Sequence, residues 1–269
     1  MGRMSDQPAE RRRHLVPAER RRQILELLRE RGSISVVAVE EEFGVSPMTA
    51  RRDLALLAEE GRARRTHGGA VLPELAAHED SFDSRFEQDV VEKMRIAKAV
   101  VATLKPEETL FVDSSSTAYY VLREILDAGL AVTLLTNSLP AMAAVGSADA
   151  PNVELIGLGG GFRKLTRSFV GAETVRAIRN VFVDRLVFSV KGIEGGGFLT
   201  DPDPLEAEVK RAMIDRARTV VLVAAAQKFD ERGLNVIAHA ENVDIAYLAD
   251  PPPEGVSALE SAGVTVHSV

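Results

Sequence analysis

From Val91 onward the chain repeats one pattern: an apolar run of four to six residues, a loop of small polar or glycine residues, then an amphipathic stretch. The pattern predicts a helix over 91–104, a strand over 109–112 (TLFV), the loop DSSST and a helix over 117–126. It continues with a strand over 131–136, a helix over 139–146 and a strand over 153–157 that runs into LGGG. Strands over 185–190, 219–224, 244–248 and 263–267 follow, with a helix over 205–217 among them. Alternating strands and helices are satisfied by a mostly parallel sheet with helices on both faces, so residues 91–269 read as an α/β domain.

The first 90 residues read differently. Residues 17–31 form an amphipathic helix with Ile24, Leu25 and Leu28 on one stripe, ended by Gly32. Ser35 to Phe43 makes a second, short helix with Val36, Val39 and Phe43 inward, and Gly44-Val45 turns the chain. Ser46 caps a third helix with Pro47 at its first position. The serine hydroxyl satisfies an orphan amide there, and proline has no amide to satisfy. Gly61 ends this helix, and RARRTHGGAVL reads as two short strands about a Gly68-Gly69 turn. Three helices and a hairpin over residues 17–72 describe a small winged helix-turn-helix domain. Residues 1–16 read as a disordered polar extension and 73–90, without clear period, as a linker.

Charge separates the same two regions. Residues 1–72 carry a net +3, with fourteen arginines and no lysine, while the remainder carries −10. An acidic body with an arginine-rich head suits a polyanion held at one end. Cysteine is absent, which fits a reducing cytoplasm and excludes thiolate chemistry. The five histidines are scattered without ligand spacing, so no metal is expected, and no cofactor either. No apolar run is long enough for a membrane span, and the N-terminus lacks the apolar stretch of a secretory signal.

On a wheel of the third helix, Ala50, Leu54, Leu57 and Ala58 share the buried sector. Met48, Thr49, Arg52 and Leu56 face out, with Arg51 on a flank. In a helix-turn-helix the outward N-terminal residues of the second helix reach base edges. Arg52 is therefore the candidate base reader, Thr49 suits a thymine methyl or a phosphate, and Arg51 suits the DNA backbone. Ser46 and Met48 start the same helix, and Arg62, Arg64, Arg65 and His67 lie on or beside the wing, within reach of phosphates. The other reading of this head is a dimerisation module with solvated arginines.

In the α/β half, Asp113, Ser114, Ser115, Ser116 and Thr117 sit where a strand ends and a helix begins. Ligands bind there in open sheets, and the helix N-terminus favours an anion. An N-cap with a serine-rich turn is the alternative. Thr136-Asn137-Ser138, Gly159-Gly160-Gly161 and Lys191-Gly192 follow other strand ends, and Lys228 adds a cation, so all are candidates for the same edge. Lys191 and Glu194 are the residues an isomerase-type reading would use as proton-transfer groups.

Glu19 to Val71, and above all GVSPMTARRDLALLAEEGRARRTHGGAV, resembles the N-terminal domain of the DeoR family of bacterial transcriptional regulators. The remainder resembles that family's sensor domain, through TNS, LGGGFR and AEVKRAM (207–213). The resemblance implies paired arginines in the major groove of operator DNA and a ribose-phosphate-isomerase-like sensor for a phosphorylated sugar. It also implies a homo-oligomer, dimer or tetramer, acting as the repressor of a carbohydrate operon. DSSST stands where the family has an Asp-x-Gly-Ser-Thr phosphate loop, with Ser115 in place of glycine. VAAAQKF departs further, with Ala225 and Gln227 where the family has aspartate and serine, and Lys191 is a cation where a small or acidic residue is common.

Overall fold

The structure is a computed structural model that describes residues 16–31, 33–60, 62–65, 68–71 and 79–269. The extension over 1–15, Gly32, Gly61, Thr66, His67, Leu72 and the first part of the linker (73–78) lie outside the described residues, and Arg64 is placed by its backbone alone. Two compact units divide the chain, residues 1–77 and 78–269.

The first unit contains α1 (Pro17–Arg31), β1 (Ser33–Ser35), α2 (Val36–Phe43), α3 (Pro47–Glu59), β2 (Arg64–Arg65) and β3 (Gly69–Val71). The three helices close on Ile24, Leu28, Val39, Phe43, Ala50, Leu54 and Leu57, all fully buried. Ser35 caps α2, its Oγ accepting from the Ala38 amide, and Gly44 ends α2 at φ 61. That left-handed conformation is costly for a side chain and easy for glycine, which is why the turn falls there. The wing has three strands, in the order β1-β3-β2, rather than the two read from sequence. β1 runs so close to β3 that a Cβ on Gly69 would lie 2.0 Å from the Ile34 carbonyl oxygen.

The second unit opens with α4 (Phe82–Glu87) and α5 (Val90–Val101). β4 (Thr109–Val112), α6 (Ser116–Asp127), β5 (Val132–Thr136), α7 (Leu139–Ser147) and β6 (Val153–Gly157) follow, then a hairpin of β7 (Gly161–Arg163) and β8 (Ser168–Val170), and α8 (Ala172–Arg179). The rest runs β9 (Val183–Phe188), β10 (Gly192–Ile193), β11 (Phe198–Asp201), α9 (Pro204–Ile214), β12 (Ala217–Ala225), β13 (Asn235–His239), β14 (Ile245–Ala249), α10 (Pro253–Ser261) and β15 (Thr265–Ser268). Seven strands form one sheet in the order β15-β14-β12-β9-β4-β5-β6. Every pairing in it is parallel.

Successive side chains point to opposite faces of a strand, and the core divides accordingly. Leu110, Val112, Val221 and Val223 pack with α5, α6 and α7. Phe111, Leu186, Leu222 and Ala224 pack with α8, α9 and α10 on the other face. The α/β architecture expected from the periodicity is therefore present, with strand ends shifted by one or two residues. Three short helices, α4, α8 and α10, were not read from sequence. With six to nine residues, each is too short to show a period. α4 lies inside the stretch read as a linker. No described helix is long and apolar enough to cross a membrane.

The chain winds outward from β4 through β5 to β6, returns to β9, and then builds β12, β14 and β15 on the other side. The strand order reverses between β4 and β9, and a crevice opens outside the carboxyl ends of strands at such a point.

Candidate functional site

α3 presents the arginines as its wheel requires. Ser46 caps the helix, its Oγ accepting from the Thr49 amide at 3.3 Å and lying 3.0 Å from Thr49 Oγ1. Met48, Arg51 and Arg52 are exposed, and no hydrogen bond or ion pair among the described residues uses either arginine's guanidinium. Thr49 is half-buried. Arg65 donates to the Arg51 carbonyl at 2.7 Å and so ties the wing to the helix, while Arg62 lies 3.4 Å from Glu60. One residue of α3 escaped the sequence reading. Asp53 is buried beneath the arginines and accepts from Arg20 Nε at 2.6 Å, with Arg21 at 3.7 Å, fastening α1 to α3. An acid at i+1 from the paired arginines, on the core side of the wheel, was the available signal.

In the second unit a cavity of about 50 Å³ lies at the switch point, bounded by Ser114 to Thr117 after β4, Lys191 after β9 and Lys228 after β12. The DSSST residues divide their duties. Asp113 is 1% exposed and its carboxylate accepts from the Ser115 amide and hydroxyl and from the Ser189 amide. Burial raises its pKa, against the pull of Lys210. Ser115 is the N-cap of α6, its Oγ accepting from the Ala118 amide, and Ser114 donates to Glu206. Ser116 and Thr117 are about 95% buried, yet no hydrogen bond among the described residues uses their hydroxyls or amides. They line the cavity as free donors at the positive end of a helix.

Thr136, Asn137, Gly159 and Gly160 do not line this cavity. They follow β5 and β6, which lie outside β4, and their polar groups mostly bond neighbouring chain, although Asn137 Oδ1 is buried without a partner among the described residues. Thr136 Oγ1 accepts from the Ser138 amide, Asn137 pairs with the Phe169 main chain at 2.9 and 2.8 Å, and the Gly159 carbonyl accepts from Thr174. Gly160 abuts Thr174 so closely that a Cβ there would clash. Lys191 and Glu194 are separated as well: Glu194 lines a second cavity, beside α10, and Lys191 does not.

The structure adds residues that the sequence reading missed. Glu79, Asp80, Arg85 and Asp89 of the apparent linker line the switch-point cavity, with Lys93 of α5 and Asp201, Glu206 and Lys210. Glu206 and Lys210 sit one turn apart on α9, on the same stripe as buried Met213. Charges on an apolar stripe were a legible signal that these two face a buried site. Lys210 is buried. Its Nζ donates to Asp201 at 2.7 Å and to the Ser189 carbonyl at 2.9 Å, and lies 3.7 Å from Asp113. Burial works against the ammonium, but Asp201 and Asp113 outweigh it and raise its pKa. Lys191 donates to Glu231 at 2.8 Å and lies 3.4 Å from Asp80, and Lys228 donates to the other Glu231 oxygen at 2.8 Å. Burial lowers the Lys228 pKa and brings that of Lys93 down to about 8. Gln227, at one of the positions departing from the family pattern, donates to Asp89 and closes the far wall. No group of His, Cys, Asp and Glu among the described residues is arranged to hold a metal ion.

A winged helix-turn-helix with free arginines on its second helix, followed by an α/β unit with a polar crevice at its switch point, defines a ligand-responsive DNA-binding transcriptional regulator. A family model described as the DeoR-like helix-turn-helix domain matches residues 20–75, and one described as the DeoR C terminal sensor domain matches residues 88–247. The chain belongs to the DeoR family. It is 31% identical to a Bacillus subtilis protein called uncharacterized HTH-type transcriptional regulator YulB, over 91% of this chain and 93% of the relative. It is 32% identical to the glycerol-3-phosphate regulon repressor of Escherichia coli, over 86% and 90%. The L-fucose operon activator of Escherichia coli is 28% identical over 81% and 89%. Ribose 5-phosphate isomerase A from Methanocaldococcus jannaschii aligns over 51% of this chain and 53% of its own at 17% identity, with a TM-score of 0.37, too slight a likeness to carry an argument about activity.

Proposed function

We propose that this regulator is a repressor of a carbohydrate-metabolism operon, released from its operator when a phosphorylated sugar or related metabolite binds the switch-point cavity. The observation that carries the reading is the pair of buried, unpartnered residues Ser116 and Thr117 at the start of α6. Hydroxyls that no protein group has taken are free to bond a ligand, and these line the same cavity as lysines 191 and 228. A phosphate is the anion that such a set of hydroxyls, helix amides and ammonium groups accommodates. The relatives named as the glycerol-3-phosphate regulon repressor and the putative aga operon transcriptional repressor support both the carbohydrate context and the sign.

On the DNA side, Arg52 reads a base, most simply a guanine, and Arg51 and Met48 lie against the same groove. Arg62, Arg64, Arg65 and His67 approach phosphates, and Ser46 and Thr49 set the start of the helix. The protein acts in the cytoplasm as a homo-oligomer, because helix-turn-helix readers address paired half-sites. Binding without catalysis is the better reading of the second unit, since Lys191 and Glu194 open onto different cavities. The test is operator binding by the full chain, titrated with a panel of sugar phosphates, for the wild type and for Ser116→Ala and Ser116→Asp. Removing one hydroxyl weakens the effector roughly ten- to hundredfold, the worth of one hydrogen bond to a charged group. Adding a carboxylate blocks release and leaves operator affinity unchanged. Release of Ser116→Asp at the wild-type effector concentration would refute phosphate binding at this loop.

A further inference from the structure

The switch-point cavity, at about 50 Å³, holds a few waters. Small-molecule sites measure roughly 300–1,000 Å³, so a sugar phosphate enters only if part of the wall yields. Most of the wall belongs to strand ends and to α6 and α9, held by main-chain ladders and the core. α4, α5 and the β7–β8 turn also contribute, and the short stretch before α4 is held differently from the rest. Glu79 and Asp80 are attached through side-chain ion pairs. Arg163 donates to both Glu79 carboxylate oxygens at 2.8 Å, and Lys191 Nζ lies 3.4 Å from Asp80. Two residues further on, the attachment changes in kind. Phe82 is buried, its amide donates to the Leu165 carbonyl at 2.9 Å, and Phe82 and Phe86 pack edge-on against Tyr119 at 5.7 and 5.5 Å. α4 is thus docked on α6 by an aromatic cluster, while the residues just ahead of it are held by charge.

Three of the cavity's lysines already have carboxylate partners. Lys191 has Asp80 and Glu231, Lys228 has Glu231, and Lys210 has Asp201. A phosphate that reaches Lys191 displaces a carboxylate there, and Asp80, at 3.4 Å, is held more loosely than Glu231 at 2.8 Å. Meanwhile the Nε of Arg85, on α4, is buried and meets no partner, a donor left for a ligand on the docked side.

We infer that Asp80, with Glu79 held beside it on Arg163, acts as a tethered anion on Lys191 until a phosphorylated effector displaces it, freeing the chain just ahead of α4 while α4 stays docked. The inference rests on the reading of this cavity as the effector site. Its consequence is directional: the freed residues belong to the one covalent connection with the DNA-binding unit, so binding loosens that connection and leaves the sheet undisturbed.

Two measurements on the full-length chain test it, with inorganic phosphate as the probe. First, Glu79→Gln with Asp80→Asn removes the competing charges at nearly constant shape. Phosphate then binds roughly three- to tenfold more tightly than to the wild type, the range for partly buried ion pairs. Second, the chain has no cysteine, so Ser81→Cys supplies a single thiol at the junction. Its labelling rate rises several-fold with phosphate, while a Glu87→Cys thiol at the end of α4 keeps its rate. Equal or weaker phosphate binding by the double variant, or a Ser81→Cys thiol that phosphate leaves unchanged or protects, overturns the tethered anion while leaving the effector site standing. No phosphate binding by either wild type or variant overturns both readings together.

Discussion

Lys210→Met tests the electrostatics that hold the switch point together. The substitution keeps most of the side-chain volume on α9 and removes the ammonium that bonds Asp201 at 2.7 Å, the Ser189 carbonyl at 2.9 Å and, at 3.7 Å, Asp113. Asp113, Asp201 and Lys210 are all buried. Removing one partner of a buried pair costs about 3–5 kcal/mol, because the remaining charge is left uncompensated. Here two carboxylates lose their common cation, which places the expected loss toward the upper end of that range at pH 8. The pH dependence identifies the cause. Burial already raises the Asp113 pKa in the wild type, and loss of Lys210 raises it further. A carboxyl whose folded pKa exceeds its unfolded value binds more protons when folded, so its penalty is absent at low pH and grows as pH rises above the unfolded value near 3.9. Each extra bound proton contributes about 1.4 kcal/mol per pH unit. The variant's deficit relative to wild type should therefore be smaller at pH 5 than at pH 8. Urea unfolding followed by circular dichroism at both pH values measures it, and adding Asp201→Asn to the variant should recover part of the loss at pH 8. A deficit below about 1 kcal/mol at pH 8, or one equal at the two pH values, would refute the account of Lys210 as the counter-ion of Asp113 and Asp201.

In the DNA-binding unit, Arg52→Ala should cost about 1–3 kcal/mol at the operator and relax preference at one base pair, whereas Arg64→Ala should weaken all sequences alike and lower the salt slope by about one. Gel-shift titrations on operator and random DNA at several salt concentrations distinguish them, and equal losses on both DNAs for Arg52→Ala would make it a phosphate contact only. Lys93 bears on stability above neutral pH. Its pKa is brought down by burial from 10.5 to about 8, so the folded state sheds its proton earlier than the unfolded chain, and this penalty is relieved as pH rises through that window. Lys93→Met should flatten the rise in stability between pH 8 and pH 10, and an unchanged slope would mean that Lys93 titrates normally.

Much of the protein follows from short-range pattern. Ser46-Pro47 starts α3 because capping chemistry is local, and its wheel placed Ala50, Leu54 and Leu57 inside and Met48, Arg51 and Arg52 outside, as the structure has them. The apolar strands of the second unit, separated by amphipathic helices, required a covered parallel sheet because no other arrangement buries both faces. The family resemblance carried by the recognition helix and wing agrees with the family models. Strand order is a different matter. Every βα unit looks alike along the chain, and nothing in their periodicity says that β9 returns to lie beside β4. That single adjacency brings DSSST together with Lys191 and Lys210 and leaves Thr136-Asn137 and Gly159-Gly160 to fasten β8 and α8. Glu79, Asp80 and Arg85 looked like a linker for the same reason. Their partners are 84 and 111 residues away in the cases of Glu79–Arg163 and Asp80–Lys191, and a side chain that answers to so distant a partner leaves no period in its own neighbourhood. Periodicity records which face of an element is buried, and it determined the elements here. Which elements meet depends on long-range pairing, and only the tertiary structure decided that.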